Sequence, residues 1–478
     1  MKEGYLPKEE RKKILLLCDD IRMHSGVATM AREIVIGTCH HYNWVNAGAA
    51  INHPEVGKKM DLSQDTGNRA GIEDASVFLY PQNGYGDSTL IRRMLIEEKP
   101  DAVFFFTDPR YWEWLFQIEN EIRAKIPMIY LNIWDNYPAP NYNKPYYESC
   151  DTLLAISKQT KNINKIVLGN KAKDKIIEYV PHGINEKHFF PIDEKHESWE
   201  KLQIAKKQLF GDKEYEHVFF FNSRNIRRKN VSNLIAAYSL FKENLPKDKK
   251  DKVALVLHTQ PIDGNGTDLF AVRDLFLGED DSIRFSQTKL ATEGMNLLYN
   301  LVDITVLPSN AEGWGLALTE SMMAGTMIMA TVTGGMQDQM RFEDENGNWF
   351  TPSPEIPSNH RGTYKKHGKW VIPVFPATRN LVGSPKTPYI YDDQIDFVDL
   401  SDKMMESYNL SKEEKIERGL AGREWALSDE SMESARMMNK NVIKYVDQTL
   451  NTFTPRKKFD FIKIDKLPVK TLTHKLVY

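Results

Sequence analysis

A chain of 478 residues is long for a single hydrophobic core, so two domains are expected. Hydrophobic residues make up 41% of the chain and charged residues 27%, which is ordinary for a soluble globular protein. The net charge of −3 neither requires nor excludes a polyanionic partner. The three cysteines form no CxxC pair, which argues against a disulfide framework and a structural zinc site.

The amino terminus, MKEGYLPKEERKK, is charged and lacks the apolar core of a signal peptide. No apolar run approaches the roughly 20 residues that a membrane span requires. We therefore expect a cytoplasmic protein without a membrane span.

Short apolar runs alternate with helical patterns along the chain. Because these runs do not alternate with polar residues, they are typical of strands buried on both faces of a parallel sheet. The first series is ILLLC (14–18), AVFFFT (102–107), PMIYLNIW (127–134), TLLAIS (152–157) and IIEYV (176–180). The second is HVFFFNS (217–223), VALVLHT (253–259), SIRFS (282–286), DITVLPS (303–309) and MIMATV (327–332).

The two series predict an α/β protein with two Rossmann-like, doubly wound domains facing a cleft. We place the amino-terminal domain at 1–185 and the carboxy-terminal domain at 186–427. The segment 428–478 would hold a long amphipathic helix that starts at a Ser428 N-cap, followed by a basic tail. Ligands are expected at the carboxyl ends of the strands, between the domains.

The stretch AEGWGLALTESMMAGT (311–326) carries two glutamates, Glu312 and Glu320, around a Gly-Trp-Gly step. Helical spacing would separate them by roughly 12 Å, whereas glycosidase carboxylates lie about 5 to 10 Å apart. Gly313 and Gly315 also make a helix through Glu312 unfavourable. A hydrolytic pair is therefore disfavoured, and a helix amino terminus that binds an anion is favoured.

A second basic motif, FNSRNIRRKN (221–230), follows a buried strand and leads into a helix. Arg224 and Lys229 stand at the carboxyl end of that strand, where cations can neutralise a diphosphate. We expect Arg227 and Arg228 to be exposed surface residues rather than ligand contacts.

Together these motifs resemble the family 4 glycosyltransferases, which have the two-domain GT-B fold. Four segments carry the resemblance over most of the chain: VPHGINEKHFFP (180–191), SRNIRRKN, LVDITVLPSNAEGWGLALTESMMAGT and TGGMQDQM (333–340). The resemblance implies a carboxy-terminal helix that crosses back to the first domain. It also implies retaining transfer of a sugar from a nucleotide diphosphate donor, UDP being the expected nucleotide, without an obligatory cofactor.

The resemblance assigns roles to individual residues. Arg224 and Lys229 would bind the donor diphosphate, Glu312 the sugar hydroxyls and Glu320 the ribose. The remaining donor-site residues are Gly26 in the loop MHSGVA, Gly313, Trp314, Gly315 and Leu316. Trp314 stands where the family commonly has Phe, and either packs or shapes the sugar pocket.

The acceptor side departs from the family pattern. The family often has Thr-x-His-Asp, whereas this chain has NIWDN (132–136), so Trp134 replaces the histidine and Asp135 remains. Trp134 is a core residue or a site residue, and Asp135 would orient the acceptor hydroxyl. Asp108 is a further cleft candidate. No DxD stands at a strand end, since Asp19 and Asp20 are adjacent, so no metal is implied.

An insertion of about 35 residues at 351–390 is a second departure. It carries six Lys or Arg against one Glu, interleaved with Tyr364, Trp370 and Phe375, and the tail 453–478 is also basic. Cations and aromatic rings together suit a nucleic acid, and a structural hairpin over the second domain suits them equally well.

Several functions remain open at this point. Phage-encoded relatives, whose openings resemble DDIRMHSGVATMAREI, glycosylate hydroxymethylated pyrimidines in DNA, which would place the protein in a host cytoplasm. A 5-hydroxymethylated pyrimidine is therefore the favoured acceptor, and a glycan, lipid or small molecule is the alternative. A non-catalytic GT-B binding protein and an epimerase or phosphorylase of the same architecture are competing interpretations.

Overall fold

The computed structural model describes residues 4–278 and 280–457. The first sheet has the order β3-β4-β2-β1-β5-β6-β7-β8 and is parallel except for β3. Its strands are β1 Lys12–Asp19, β2 Tyr42–Ile51, β3 Met60–Asp61, β4 Val77–Asn83, β5 Ala102–Phe106, β6 Met128–Asn132, β7 Thr152–Ala155 and β8 Ile176–Tyr179. Its helices are α1 Gly26–Thr38, α2 Ser63–Ala70, α3 Ser88–Glu98, α4 Glu113–Gln117, α5 Glu119–Arg123, α6 Lys144–Glu148 and α7 Lys158–Leu168.

The second sheet has the order β11-β10-β9-β12-β13-β14 and is parallel throughout, which is the Rossmann arrangement. Its strands are β9 His217–Asn222, β10 Val253–His258, β11 Ile283–Ser286, β12 Ile304–Leu307, β13 Met327–Thr331 and β14 Val371–Val374. The helices from here on are α8 Trp199–Phe210, α9 Val231–Glu243, α10 Leu269–Leu277, α11 Thr292–Asn300, α12 Leu316–Met323, α13 Met336–Met340, α14 Phe397–Tyr408, α15 Lys412–Leu427 and α16 Ala435–Thr452.

The predicted fold class is confirmed, because both series of apolar runs form buried parallel strands. In β9, for example, Phe219, Phe220 and Phe221 are fully buried. The two sheets lie on either side of the predicted boundary at 185/186, and the domain limits themselves stay a prediction. Strands β2 to β4 were not among the predicted runs.

The helix α16 crosses back to the first domain, as predicted. Asp447 on α16 accepts hydrogen bonds from Tyr42 Oη at 2.6 Å and His41 Nε2 at 2.9 Å. Thr449 is hydrogen bonded to Thr152 of β7 at 2.6 Å. Within the part of the chain that the structure describes, no helix is both long and apolar enough to cross a membrane.

The predicted helix start at Ser428 is wrong. Ser428 is the C-cap of α15, and Ser434 is the N-cap of α16. The intervening residues cannot be helical because they are tied to the connection between the domains: Ile184 N donates to Glu433 O, and Ala435 N donates to Ile184 O.

The insertion forms the last strand of the second sheet and an antiparallel hairpin. The hairpin consists of β15 Thr378–Ser384 and β16 Thr387–Gln394. It is anchored on the second domain through Asp393, whose carboxylate accepts a hydrogen bond from Thr333 Oγ1 at 2.7 Å, while Arg379 of the hairpin donates to the same carboxylate. On the other side it reaches the first domain, where Tyr391 N donates to Tyr137 O.

The contact between α16 and the first domain predicts a pH-dependent stability. The hydrogen bond to Asp447 raises the pKa of His41 above its usual 6.5, so this pair stabilises the fold fully below about pH 6.5. Its ionic part is lost as the pH rises through the pKa of folded His41. We expect Asp447→Asn to lower the free energy of unfolding by about 1 kcal/mol at pH 5.5 and by less at pH 9.

Urea unfolding at the two pH values measures this difference. Tyr42→Phe is the matched control, because it removes the pH-independent hydrogen bond to Asp447. An Asp447→Asn effect that is equal at both pH values, or larger at pH 9, would contradict the ion pair.

Candidate active site

The loop between β12 and α12 places Glu312 at the centre of a cluster of donors. Ser309 Oγ donates to Glu312 Oε1 at 2.7 Å, and Lys229 Nζ donates to the same oxygen. Arg228 Nη1 lies 3.1 Å from the other oxygen, Oε2. Glu312 and Lys229 are both buried, being 5% and 8% exposed. Two loops at the carboxyl ends of β9 and β12 thus converge on one buried carboxylate.

Electrostatics keep this carboxylate ionised. Burial opposes the charge of Glu312, but Lys229, Arg228 and the hydrogen bond from Ser309 outweigh it and lower the pKa to about 2. At neutral pH the cluster is therefore an anion held by two cations.

Glycines allow the Glu312 loop to fold against its neighbours. Gly315 has φ +92°, in the region that favours glycine, and forms the N-cap of α12. Gly335 N donates to Glu312 O at 2.9 Å, and a Cβ at Gly335 would lie 2.0 Å from Gly313 O. The segment TGG therefore packs backbone to backbone on the loop that carries Glu312.

Trp314 is packed inside this loop. It is 2% exposed, and its indole N–H donates to Thr319 Oγ1 at 3.1 Å. The packing alternative for Trp314 is thus the one seen in the structure. The neighbouring Leu316, at the start of α12, would touch a methyl group placed on Gly26, with 3.4 Å to its Cδ1.

Glu320 belongs to a separate hydrogen-bond chain on α12. Tyr299 Oη donates to Glu320 Oε2 at 2.7 Å, and Asn222 Nδ2 donates to Tyr299 Oη at 2.9 Å. Burial raises the pKa of Glu320. The two glutamates thus lie in different environments, one held by cations and one by a tyrosine hydroxyl.

The arginines of SRNIRRKN are not arranged as expected from the sequence. Arg224 is 62% exposed at its side chain and pairs with Asp263 at 2.7 Å. Arg228 is exposed, as expected, but it also donates to Ala311 O at 2.6 Å and pairs with Glu312. Its side chain is 44% exposed, so it both holds the loop and opens onto the cleft.

The first domain contributes Asp135 to the same region. Asp135 follows β6, and burial raises its pKa to about 6. The negative charge of Glu312 also raises this pKa, whereas the positive charge of Arg228 lowers it. Asp135, Asp108 and Arg228 line one cavity of about 460 Å³ between the domains. The structure therefore brings together Asp135, Lys229 and Glu312 from the predicted set, and adds Arg228 and Ser309.

Trp134 forms part of the cavity wall and is largely buried. It is 8% exposed, and its indole N–H donates to Asn136 O at 2.9 Å. The guanidinium of Arg110 lies over its ring at 5.3 Å. Trp134 is therefore both a core residue and a residue of the cavity wall.

The aromatic residues of the insertion are packed rather than displayed. Trp370 is 7% exposed and stacks on Trp425 at 5.8 Å, and Tyr364 and Phe375 lie against Phe350 and Phe342. These three rings therefore have a structural role in packing the second domain and are not available to stack on bases.

Three of the six basic residues of the insertion form ion pairs. Lys366, Lys369 and Arg379 form ion pairs with acidic side chains of the second domain or the hairpin. Lys369 precedes β14 and so lies at the amino ends of the parallel strands, whereas the Glu312 loop lies at their carboxyl ends. Most of the tail 453–478 lies outside the described residues.

Among residues 4–278 and 280–457, no group of three or more His, Cys, Asp or Glu side chains is placed so that it could hold a metal ion. The absence of a metal from the chemistry stays a prediction.

The close approach of Gly335 to Gly313 predicts a large effect of one methyl group. We expect Gly335→Ala to lower the free energy of unfolding by about 1–3 kcal/mol, because the added Cβ must displace the backbone of the Glu312 loop. Gly264→Ala is the control: its Cβ would meet no atom within 4 Å, and its effect should stay within about 0.5 kcal/mol. Equal urea midpoints for the two variants would contradict the packing described here.

A family model described as "Glycosyl transferases group 1" matches residues 200–356. Mannosylfructose-phosphate synthase of Agrobacterium fabrum is 26% identical over 194 residues, which cover 40% of this chain and 39% of that protein. An uncharacterized glycosyltransferase of Methanocaldococcus jannaschii is 27% identical over 208 residues, which cover 43% of this chain and 48% of that protein. The chain thus aligns with less than half of the length of either relative.

Solved structures match over far more of the chain. Sucrose-phosphate synthase from Thermosynechococcus elongatus has a TM-score of 0.63 at 14% identity, over 92% of this chain and 100% of that one. Anabaena HepE in complex with UDP and glucose has a TM-score of 0.61 at 12% identity, with the same coverage. The chain therefore has the GT-B fold, and its residues 200–356 are similar to the group 1 glycosyltransferases.

Proposed function

We propose that this protein transfers a sugar from a nucleotide diphosphate donor, UDP being the favoured nucleotide, to a hydroxyl group of an acceptor. The observation that carries the proposal is the Glu312 cluster. It holds an ionised carboxylate, Lys229 and Arg228 at the carboxyl ends of β9 and β12. Asp135 of the first domain lines the adjoining cavity. Carboxylates bind sugar hydroxyls and cations bind a diphosphate, so the two chemistries that a sugar nucleotide requires are adjacent.

The donor would lie across the amino terminus of α12. Backbone N–H groups at that terminus favour an anion, and Lys229 and Arg228 add two positive charges. Arg224 would join them by leaving Asp263, since its exposed side chain is free to turn. The sugar hydroxyls would then donate hydrogen bonds to the Glu312 carboxylate, and the ribose would lie at Glu320.

The remaining donor contacts would come from the backbone of the two loops that face each other across the cleft. These are Gly26 in the first domain and Gly313, Trp314, Gly315 and Leu316 in the second. The UDP complexes of Anabaena HepE support a nucleotide site in a chain of this fold.

Transfer with retention requires no covalent intermediate on the protein. The bond between the anomeric carbon and the diphosphate oxygen breaks, and the acceptor oxygen bonds to the same face of that carbon. The acceptor proton moves to the departing phosphate oxygen. Lys229 and Arg228 would stabilise the negative charge that develops on the diphosphate, while Asp135 orients the acceptor hydroxyl.

A 5-hydroxymethylated pyrimidine in phage DNA is the favoured acceptor, which would place the protein in a host cytoplasm. The resemblance of DDIRMHSGVATMAREI to phage enzymes supports it, as does Lys386, which lies exposed beside the cavity-lining Thr387. A cavity of about 460 Å³ admits one nucleoside and not a duplex, so the base would have to leave the helical stack. A glycan, lipid or small molecule with a hydroxyl group is the alternative acceptor, and a non-catalytic sugar-nucleotide binder is the alternative function.

Radiolabelled transfer from UDP-sugars tests this proposal. We expect label to enter an oligonucleotide that contains 5-hydroxymethylated pyrimidine and not its unmodified twin. Glu312→Ala should reduce transfer by at least about 100-fold while leaving UDP affinity unchanged or increased, because the carboxylate that competes for Lys229 and Arg228 is gone. Arg227→Ala is the control, because Arg227 is a neighbouring exposed cation.

The outcomes separate the alternatives. Absence of both UDP-sugar binding and slow donor hydrolysis would refute the glycosyltransferase. Donor hydrolysis without label in either oligonucleotide would refute the DNA acceptor alone. Loss of both transfer and UDP affinity in a folded Glu312→Ala variant would contradict the assignment of this carboxylate to the sugar subsite, because it would place Glu312 at the diphosphate site.

The raised pKa of Asp135 predicts an acid limb in the pH profile. If ionised Asp135 orients the acceptor, kcat/KM falls about tenfold per pH unit below its pKa of about 6. Asp135→Asn should have lower activity and no such limb, whereas Asp135→Glu should keep one. An unchanged acid limb in Asp135→Asn would assign the titration to another group.

A further inference from the structure

The hairpin β15–β16 completes the cavity on the side facing Asp135. Val382, Ser384, Thr387, Ile390 and Asp392 line it from the hairpin. The insertion therefore supplies a wall of the cavity that the two Rossmann-like domains alone would leave open.

The hairpin is held in this position by hydrogen bonds to the first domain. Asn136 Nδ2 donates to Tyr391 O at 3.0 Å, and Tyr142 Oη donates to Tyr389 O at 3.1 Å. Arg110 Nη1 donates to Lys386 O at 2.9 Å. Contacts along the hairpin thus fix the side chains that point into the cavity.

One of the two arginines in the cavity wall is fully engaged by the protein. Arg110 Nε and Nη2 donate to the Asp108 carboxylate, and Nη1 donates to Lys386 O. Its charge is therefore balanced by Asp108. The other arginine, Arg228, is paired with Glu312 and also interacts electrostatically with Asp135 and Asp392, so its single positive charge is shared among three carboxylates.

Two carboxylates of the wall keep hydrogen-bonding capacity. Among residues 4–278 and 280–457, no side chain donates a hydrogen bond to the Asp135 carboxylate. Asp392 receives one long hydrogen bond, from Asn310 Nδ2 at 3.4 Å. Ionised carboxylates are acceptors only, so both favour ligand groups that donate hydrogen bonds.

The rest of the wall is apolar. Ile133 and Trp134 line the cavity from the first domain, and Val382 and Ile390 line it from the hairpin. A ring with apolar faces and hydroxyl or amino groups at its edge matches this combination.

We propose that Asp392 is a specificity-determining residue that accepts a hydrogen bond from the acceptor opposite Asp135, so that the cavity selects an uncharged, hydroxyl-bearing ring over its phosphorylated counterpart. This inference rests on the proposed glycosyltransferase function. In a nucleic-acid acceptor the modified base would be this uncharged ring, with the phosphates outside. A phosphate inside the cavity would instead face Asp135 and Asp392, and like charges at close range are strongly unfavourable.

Binding of matched pairs to the full-length chain saturated with UDP tests the proposal. The pairs are glucose with glucose 6-phosphate, and 5-hydroxymethyl-2′-deoxycytidine with its derivative phosphorylated on the 5-hydroxymethyl group, measured by ligand-observed NMR titration. We expect the uncharged member of at least one pair to bind about tenfold or more tightly than its phosphorylated partner.

Variants of the hairpin carboxylate supply the second readout. Asp392→Asn should weaken binding of the uncharged probe by about 10-fold or more while leaving UDP affinity unchanged. Asp392→Lys should bring the phosphorylated probe to parity with the uncharged one or beyond it. Asp399→Asn, an exposed carboxylate on α14 away from the cavity, is the charge-matched control. Thermal unfolding identifies any variant that fails to fold, and the remaining variant then decides.

Three results would overturn the inference while leaving the proposed function intact: UDP binding with a preference for the phosphorylated probes, UDP binding with no binding of either uncharged probe, or unchanged probe affinity in both Asp392 variants. Failure of UDP and UDP-sugars to bind the wild-type chain would instead refute the proposed function.

Discussion

The buried ion cluster at Glu312 is the interaction on which the site depends. A carboxylate that is 5% exposed is tolerated because Lys229, Arg228 and Ser309 supply donors to both of its oxygens. Removing either cation would leave the buried carboxylate with one cation instead of two. The cluster therefore fixes the loops after β9 and β12 relative to each other before any ligand arrives.

The same cluster couples the two domains. The loop that carries Glu312 approaches the first domain closely enough that a Cβ at Gly313 would lie 3.0 Å from Ile133 O. The hairpin of the insertion and the helix α16 add further bridges at different places along the chain. A group at the carboxyl end of β6, such as Asp135, is thus held near groups at the carboxyl ends of β9 and β12, although they belong to separate sheets.

The sequence predicted the parts of the fold that local pattern determines. Strands such as β5 and β9 are continuous apolar runs because both faces of a parallel sheet are covered. Strand β2 escaped this criterion because Asn46 and Gly48 interrupt it. Asn46 is buried and bonded to Leu16 O, and a Cβ on Gly48 would meet Asp20 Cα at 2.9 Å. These are long-range requirements that a window of sequence does not contain.

In the site, too, residues within local motifs were predicted, whereas contacts between distant parts of the chain were not. Glu312, Lys229 and Asp135 were predicted because they stand at fixed places in recognisable motifs. Arg228 is exposed, as expected, but its contact with Glu312 was not predicted, because Glu312 lies 84 residues away along the chain. A hairpin in the insertion was one of the two alternatives, but its role as a cavity wall was not predicted, since β15 is largely exposed and the hairpin's position depends on hydrogen bonds to the first domain.

A crystal structure of the chain with UDP bound tests the central claim most directly. We predict that the diphosphate lies at the amino end of α12, with Lys229 Nζ and a nitrogen of Arg228 within hydrogen-bond distance of its oxygens and the Glu312 carboxylate turned toward the sugar subsite. UDP bound at any other place, or a diphosphate that contacts neither Lys229 nor the amino end of α12, would contradict this assignment.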